Sequence, residues 1–538
     1  YVSLNGKVNF RSISFLLVLS LVMGNPSGLM AQNKQLSSGP LFDGEPFLSV
    51  NPQNHREMVV AWMSWAAGQG ISIKTRFSKD GGQTWSAGQL LPHQRSSFGS
   101  ADPCMAWNNQ GEVFLAYIDF NDSRDSGAVY LRKSTSGGLS WSPAVKVISI
   151  ADDPAKIPID RPWMAIDQSG GIREGHIYIT TMTAKGASAP FHPYLTRSTD
   201  GGNSFGPWRY LDTAGWEAGS RIALPMASPV VAANGKFYAA YPSFVPQQNV
   251  RPRYILASSS RGGVQLQHQV IDSPQKNLQD SLAKTGFLLR ADPADSNHLA
   301  FFNLESPRGD GDVFLRESFD AGQSWTTPQR VNGDSLSNDR LQDLVWADFN
   351  AQGDLVAAWR DRRNAASSGY QVASEIWAAY RPADSSNFSR EFPLSDTLAA
   401  YDAVLDGAGN DFMSLELLGD TIHAVWGDTR TGRLHIWYQR SLVNGRLISR
   451  RRLDGPANGN LSLYPQPVDD QAYLEGSGLE RWRLLSGEGR LIRKGEWRRT
   501  SDSKAKILPT SDLASGTYLL QLKRRGEAGW RSLQFQKK

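Results

Sequence analysis

Cysteine is almost absent: among 538 residues only Cys104 carries a thiol, which excludes an intramolecular disulfide framework and leaves packing to hold the fold. Set in the apolar run PCMAW, Cys104 itself reads as a small core residue. Long helical patterns are scarce, whereas Gly (50), Trp (17) and Tyr (16) are plentiful, so short strands joined by tight turns are expected. Net charge is nearly missing from most of the chain. The formal total is +5, but residues 463 to 538 hold 15 Lys+Arg against 9 Asp+Glu, a balance of +6. The remainder is close to neutral, and no nucleic-acid partner is expected. The Asp-rich loops lack a calcium-loop spacing, so calcium stays open but unsupported, no cofactor is required, and metal ligands are left unassigned.

A long hydrophobic run occurs only near the start. Lys7 and Arg11 precede ISFLLVLSLVMG, Ile13 to Gly24, which suits a signal-peptide core and is too short for a membrane span. Residues 1–31 read as a signal peptide cut after Ala31, although Leu29 departs from the small-x-small pattern. No other segment is apolar and long enough to cross a bilayer, so no transmembrane segment is expected in the mature chain.

What is present in quantity is repetition. Seven short runs end at Trp62, Tyr117, Thr181, Tyr241, Phe302, Trp359 and Trp426, spaced 55, 64, 60, 61, 57 and 67 residues apart. A second apolar run precedes each, and a turn often containing Gly separates the two. A unit of this size matches a four-stranded propeller blade. An all-β chain follows: a β-propeller over residues 32–457, a linker at 458–462 and a small β-sandwich over 463–538.

A polar box closes the third strand of the unit. Its copies are SKDGGQTW at Ser78, STSGGLSW at Ser134, STDGGNSF at Ser198 and SFDAGQSW at Ser318, with an eroded copy expected at Ser258 in SSSRGGVQ. A short Asp or Ser side chain accepts backbone N–H bonds, Gly tolerates positive φ and the aromatic anchors the turn. All these roles are local, and a catalytic residue would be unique to one position. The repeats are therefore scaffold.

The repeated S-x-D-x-G-x-[ST]-W box resembles the Asp-box, or BNR repeat, of sialidases and related β-propellers, across residues 40 to 455. The resemblance implies a propeller and raises sialidase chemistry as a possibility, although the box also decorates propellers without it. Sialidases have six blades. Seven modules here favour seven, with six as the alternative. The family's early arginine motif is missing, since the corresponding strand reads GEPFLSV.

Strand order puts the boxes at one face and the starts of first strands and ends of second strands at the other. Alignment sets Glu45, Asp102, Arg161, Ser228, Gly286, Leu344 and Asp411 at one level, with Asp160 and Asp343 one residue earlier. Asp119, Asp361 and Asp428 lie two positions beyond second-strand aromatics, with Arg362 and Arg430 close by. Arginines that bind an acidic sugar and carboxylates that move protons are what glycoside chemistry needs. The expected catalytic set is thus Arg161, Arg362, Arg430, Asp102, Asp160, Asp411, Asp428 and Glu45. The same charges could instead pair across blades and close the ring.

The tail carries Tyr464-Pro465-Gln466-Pro467, Gly516-Thr517-Tyr518 and a basic terminus. These resemble the C-terminal sorting domain of the type IX secretion system of Bacteroidetes, with Gln466 where asparagine is usual. That resemblance implies export through the periplasm to the cell surface or medium, with the type IX machinery as partner. Two functions are expected in competition: a sialidase-like hydrolase of exo-α-sialidase type removing terminal acidic sugars, or a non-catalytic propeller binding glycan or protein at the cell surface.

Overall fold

A computed structural model describes residues 33–39, 41–184, 186–248, 251–274, 286–307, 309–389, 391–405 and 409–445, together with 462–464, 471–475, 479–486, 490–496, 505–524 and 530–537. The signal peptide, its cut site and Pro465 to Pro467 lie outside these residues. Two compact units divide the chain, Tyr1–Arg450 and Arg451–Lys538.

The first unit is a ring of seven four-stranded antiparallel sheets. Blade 1 runs Asp43–Val50, Met58–Ala66, Gly70–Ser78, Gln89–Leu90, and blade 2 runs Gly99–Trp107, Val113–Phe120, Gly127–Ser134, Val145–Ser149. Blade 3 is Asp160–Ile166, Ile177–Met182, Pro193–Ser198, Arg209–Tyr210, and blade 4 is Ser228–Val231, Phe237–Ser243, Arg253–Ser259, Gln267–Asp272. Blade 5 is Phe287–Ala291, Leu299–Glu305, Asp312–Ser318, Gln329–Arg330, and blade 6 is Gln342–Phe349, Leu355–Asp361, Glu375–Arg381, Phe392–Pro393. First strands of successive blades touch one another in an unbroken circle, blade 7 meeting blade 1. They therefore line the axis, and the six-bladed alternative is excluded.

Blade 7 departs from the repeat. Ser414–Leu418, Thr421–Asp428 and His435–Leu442 supply three strands, and the fourth is Lys34–Gln35, with Lys34 opposite Tyr438 and Gln35 opposite Trp437. Leu36 follows it into the core, and Asn33 donates to Leu394 O at 2.9 Å and to Gln439 Oε1 at 2.7 Å. A two-residue strand has no periodicity, so the sequence gives no sign of it.

The box turns follow their residue chemistry. In each, the serine oxygen accepts the N–H four residues on, Gly82 from Ser78 and Gly202 from Ser198, both at 2.9 Å. Asp80 accepts Thr84 N at 2.8 Å and Thr84 Oγ1 at 2.6 Å; Asp320 does the same with Ser324 at 2.8 and 2.5 Å. The eroded copy is in a different register from the expected one. Ser259, not Ser258, ends the strand and accepts Gly263 N at 3.0 Å. Three serines in a row hid the one-residue offset.

Gly82 shows how a box packs on its neighbour. Its φ is +78°, and a Cβ there would sit 1.8 Å from Oη of buried Tyr438 in blade 7. Gly201 has φ +68° with nothing within 4 Å. Gly201→Ala should therefore cost only the left-handed backbone penalty, about 1–2 kcal/mol, whereas Gly82→Ala should cost about 2–4 kcal/mol because it adds overpacking. Equilibrium denaturation of the two variants checks the difference; equal losses would refute the contact.

The second unit is a sandwich. Ser462–Tyr464, Gln471–Glu475 and Ala505–Pro509 form one sheet, and Leu491–Glu496, Leu479–Ser486, Gly516–Arg524 and Arg531–Lys537 the other. Leu474 and Leu508 of the first share a core with Leu484, Leu520, Leu522 and Phe535 of the second.

Candidate functional site

First strands start, and second strands end, at the face away from the boxes: Asp43 pairs with Ser64 there, whereas Met58 pairs with Ser78 at the box end. At that mouth the first strands of blades 1, 2, 3 and 6 are bulged, with register shifts between Gly44 and Phe47, Ala101 and Cys104, Asp160 and Trp163, and Asp343 and Trp346. The residue inside each bulge has positive φ: Glu45 52°, Asp102 54°, Arg161 47° and Leu344 53°. Proline follows in three of them, as Pro46, Pro103 and Pro162. A proline has no N–H for the ladder, so within an inner strand it belongs at a bulge. Non-glycine residues in this conformation carry about 1–3 kcal/mol of strain each, and such strain gathers at functional positions.

The bulges of blades 1, 2 and 3 bring their side chains to Asp411, just ahead of the first strand of blade 7. Arg161 donates to Asp411 Oδ2 at 2.5 Å, and its backbone N–H donates to Asp102 Oδ2 at 3.2 Å. Glu45 lies beside Asp102, whose side chain acts on its protonation. Burial, then the charges of Asp102 and Asp411, pushes the Glu45 carboxyl well above the usual range, with Arg161 pulling the other way. Burial alone would lower the Arg161 pKa, but Asp411, Asp160, Glu45 and Asp102 together raise it. Glu45 is 2% exposed and its Oε2 has no hydrogen-bond partner. Asp102 and Asp160 are half-buried.

Beneath the mouth an aromatic layer plugs the axis. Phe47 and Trp346 lie 5.4 Å apart, Trp163 and Trp346 5.6 Å, Trp163 and Phe412 5.8 Å. Arg161 sits over Phe412 at 5.5 Å. On the box side of the plug Arg290 stacks on Trp346 at 4.9 Å. Its charge acts on Asp348, whose carboxyl burial pushes up to about 6, and on Glu416, raised by burial and by Asp348. Sequence reasoning missed this second polar layer. Its trace was a charge inside each of the apolar runs FLLRA, LVWADF and SLELL.

Arg362 and Arg430 do not join Arg161. Arg362 donates to Tyr370 O at 2.7 Å, Leu341 O at 3.0 Å and Asp343 Oδ1 at 3.2 Å. Burial pushes the Asp343 carboxyl up, but Arg360 and Arg362 outweigh it and hold it well below the usual range. Arg430 donates to Asp428 at 3.0 and 2.6 Å, to Asn33 at 2.9 Å and to Asp396, and lies 4.2 Å over Trp437. Arg363 repeats that arrangement in blade 6, on Asp361 at 2.7 Å, on Glu391 and 4.1 Å over Trp377. Asp428 and Asp361 also accept the indole N–H of Trp426 and Trp359, at 2.9 and 2.6 Å. Arg430 thus corresponds to Arg363, and both are repeated blade braces. Of the expected set, Glu45, Asp102, Arg161 and Asp411 meet at the mouth, Asp160 adds its charge to Arg161, and Arg362, Arg430 and Asp428 serve other networks.

No family model matches the sequence, and no curated protein matches it. Solved structures similar to the chain include an unknown-function protein from Dyadobacter fermentans (13% identity, 76% of this chain and 98% of that chain, TM-score 0.40). The Penicillium chrysogenum α-L-arabinanase complexed with arabinobiose is similar at 12% identity over 77% of this chain and 99% of that chain, TM-score 0.44. The Hadza microbial sialidase Hz136 is similar at 12% identity over 75% of this chain and 66% of that chain, TM-score 0.38. At these scores the propeller rests on its own seven sheets and closed circle of first strands.

Proposed function

We propose that the chain is a glycan-acting propeller with a glycoside hydrolase site at the channel mouth. One observation carries this reading: Glu45, 2% exposed, lies beside Asp102, and burial first and the neighbouring charges next push its carboxyl well above the usual range. A carboxyl group whose burial favours its protonated form, set beside a second carboxyl group, is what acid catalysis of glycoside cleavage uses. Glu45 is the acid, Asp102 and Asp411 are the carboxylates facing the developing charge, and Arg161 orients Asp411. Exo-α-sialidase action is the narrower form of the proposal. It would draw on Arg161 alone for the sugar carboxylate, since Arg362 and Arg430 are engaged elsewhere.

Fluorogenic glycosides, an α-sialoside and neutral and amino sugars among them, test the proposal against a Glu45→Gln control. Turnover on at least one that the control lacks is expected; no turnover on any sinks it. A second reading, a non-catalytic surface propeller, is favoured by Arg161 and Asp411 satisfying each other. A glycan array that gives signal without hydrolysis would establish that one.

The tail keeps its reading as a type IX sorting domain, supported by its self-contained core. Deleting residues 463–538 should leave the propeller inside the cell, as fractionation would show; undiminished export would rule the reading out.

A further inference from the structure

We infer that the outer face of the larger tail sheet is a docking surface for an anionic lipid membrane. The two faces of that sheet differ in kind. Leu484, Leu520 and Leu522 turn into the sandwich and are fully buried. On the opposite face the register lays side chains in rows across the strands. Arg483 stands opposite Lys494 on one side and Gln521 on the other, and Arg481 stands opposite Glu496 and Lys523. The next row along is apolar, with Leu485 opposite both Leu491 and Leu519.

Like charges directly opposite one another destabilise a sheet. This face keeps two such pairs, Arg483 with Lys494 and Arg481 with Lys523. Glu496 answers Arg481 at 2.9 Å, which shows how the sheet neutralises a cation where it does so. Among the described residues no carboxylate pairs with Arg483, Lys494 or Lys523. Trp530 holds part of the group in place, with Arg483 4.1 Å and Lys523 6.0 Å from its ring. A fold that pins unpaired cations side by side at its surface is complementary to an anionic partner.

The leucine row decides between a dissolved polyanion and a lipid surface. Leu491 is 49% exposed and its neighbour Ile492 43%, while Leu485 and Leu519 are half-buried. A soluble polyanion gains nothing from apolar side chains beside its cations. A bilayer meets both rows, since phosphate headgroups face the Lys and Arg tips and the acyl boundary lies next to them for Leu and Ile.

The test is co-sedimentation of the full chain with vesicles of phosphatidylcholine alone and with vesicles that also contain phosphatidylglycerol. Binding to the second kind only is expected, weakening as salt is added. The triple variant Arg483→Gln/Lys494→Gln/Lys523→Gln should bind about a hundredfold more weakly, roughly fivefold for each charge removed, with a melting curve to show that it folds. Leu491→Ser should cost about fivefold. No binding by the parent chain, equal binding to both vesicles, or a triple variant that binds like the parent overturns the inference. Undiminished vesicle binding by Leu491→Ser would mark the face as a site for a soluble polyanion and overturn it too. None of these outcomes depends on whether the propeller hydrolyses a glycoside or the tail directs export.

Discussion

Arg381→Ala should remove about 3–5 kcal/mol from the stability of the propeller, the usual consequence of stripping one partner from a buried ion pair. Arg381 ends the third strand of blade 6 and grips Glu317 of blade 5 with both terminal nitrogens, at 2.6 and 2.5 Å. Glu317 Oε1, which takes one of these bonds, also accepts from His298 Nε2 at 2.7 Å, and His298 Nδ1 meets Asp292 at 2.8 Å. All four are buried, with side chains 6–10% exposed. Without Arg381 a buried carboxylate faces only the imidazole. Burial would lower the His298 pKa, but Asp292 and Glu317 raise it to about 9. Burial would raise that of Glu317, but Arg381 and His298 lower it to about 2.

These shifts set a pH window. His298 is raised on folding, so its contribution is complete below its unfolded value of about 6.5 and is lost as pH climbs through about 9. Glu317 is depressed, so its contribution is complete above the unfolded 4.5 and is lost as pH falls towards about 2. Denaturant titration of the parent and of Arg381→Ala across pH 3–10 reads both limbs. A variant as stable as the parent at pH 5–6 would show that the lock contributes nothing.

Glu45→Gln should lower kcat by about 10²- to 10⁴-fold on whatever glycoside the chain cleaves, the span that general acid catalysis supplies. The amide can still donate to Asp102 and fits the same space, so the mouth should keep its shape while losing the transferable proton. The pH profile is the sharper reading. Burial is the main cause of the raised Glu45 pKa and repulsion from Asp102 and Asp411 the next. Activity should hold while Glu45 keeps its proton and decline as pH rises past that value. Asp102→Asn, by removing one source of repulsion, should move the alkaline limb to lower pH without abolishing it. An unmoved limb would show that Glu45 is not the acid. Because the folded pKa lies above 4.5, Glu45 also reduces stability as pH rises beyond that point.

How far the sequence revealed the molecule follows from the range of the interactions. Blade repeats are local: apolar strands, a tight turn and a box whose serine, aspartate and glycine bond within four residues. They were legible because every copy solves the same short-range problem. The mouth is not local. Arg161 and Asp411 are 250 residues apart in sequence; by contrast, WRDRR laid on WGDTR by its tryptophan already sets Arg363, not Arg362, opposite Arg430, a signal the sequence reading passed over. The folded blades add what both arginines grip, Asp361 with Glu391 and Asp428 with Asp396. The bulges were half-visible. Glu45-Pro46, Asp102-Pro103 and Arg161-Pro162 announce a break in each inner ladder, but Leu344-Val345 adopts the same positive φ without a proline.

The strand Lys34–Gln35 bears on how such a chain is made. Asn33 and its partner Gln439 are separated by 406 residues, so a chain synthesised from its N-terminus forms this latch long before its catch exists. Without that pairing the ring is open and His435–Leu442 is left with an unpaired edge. Open edges invite pairing with other chains, and joining such distant segments is the slow kind of step in β-rich folding. Circularisation therefore cannot precede synthesis of the last blade, and a chain that stalls before it would be vulnerable to proteases and to its own kind at blade 7.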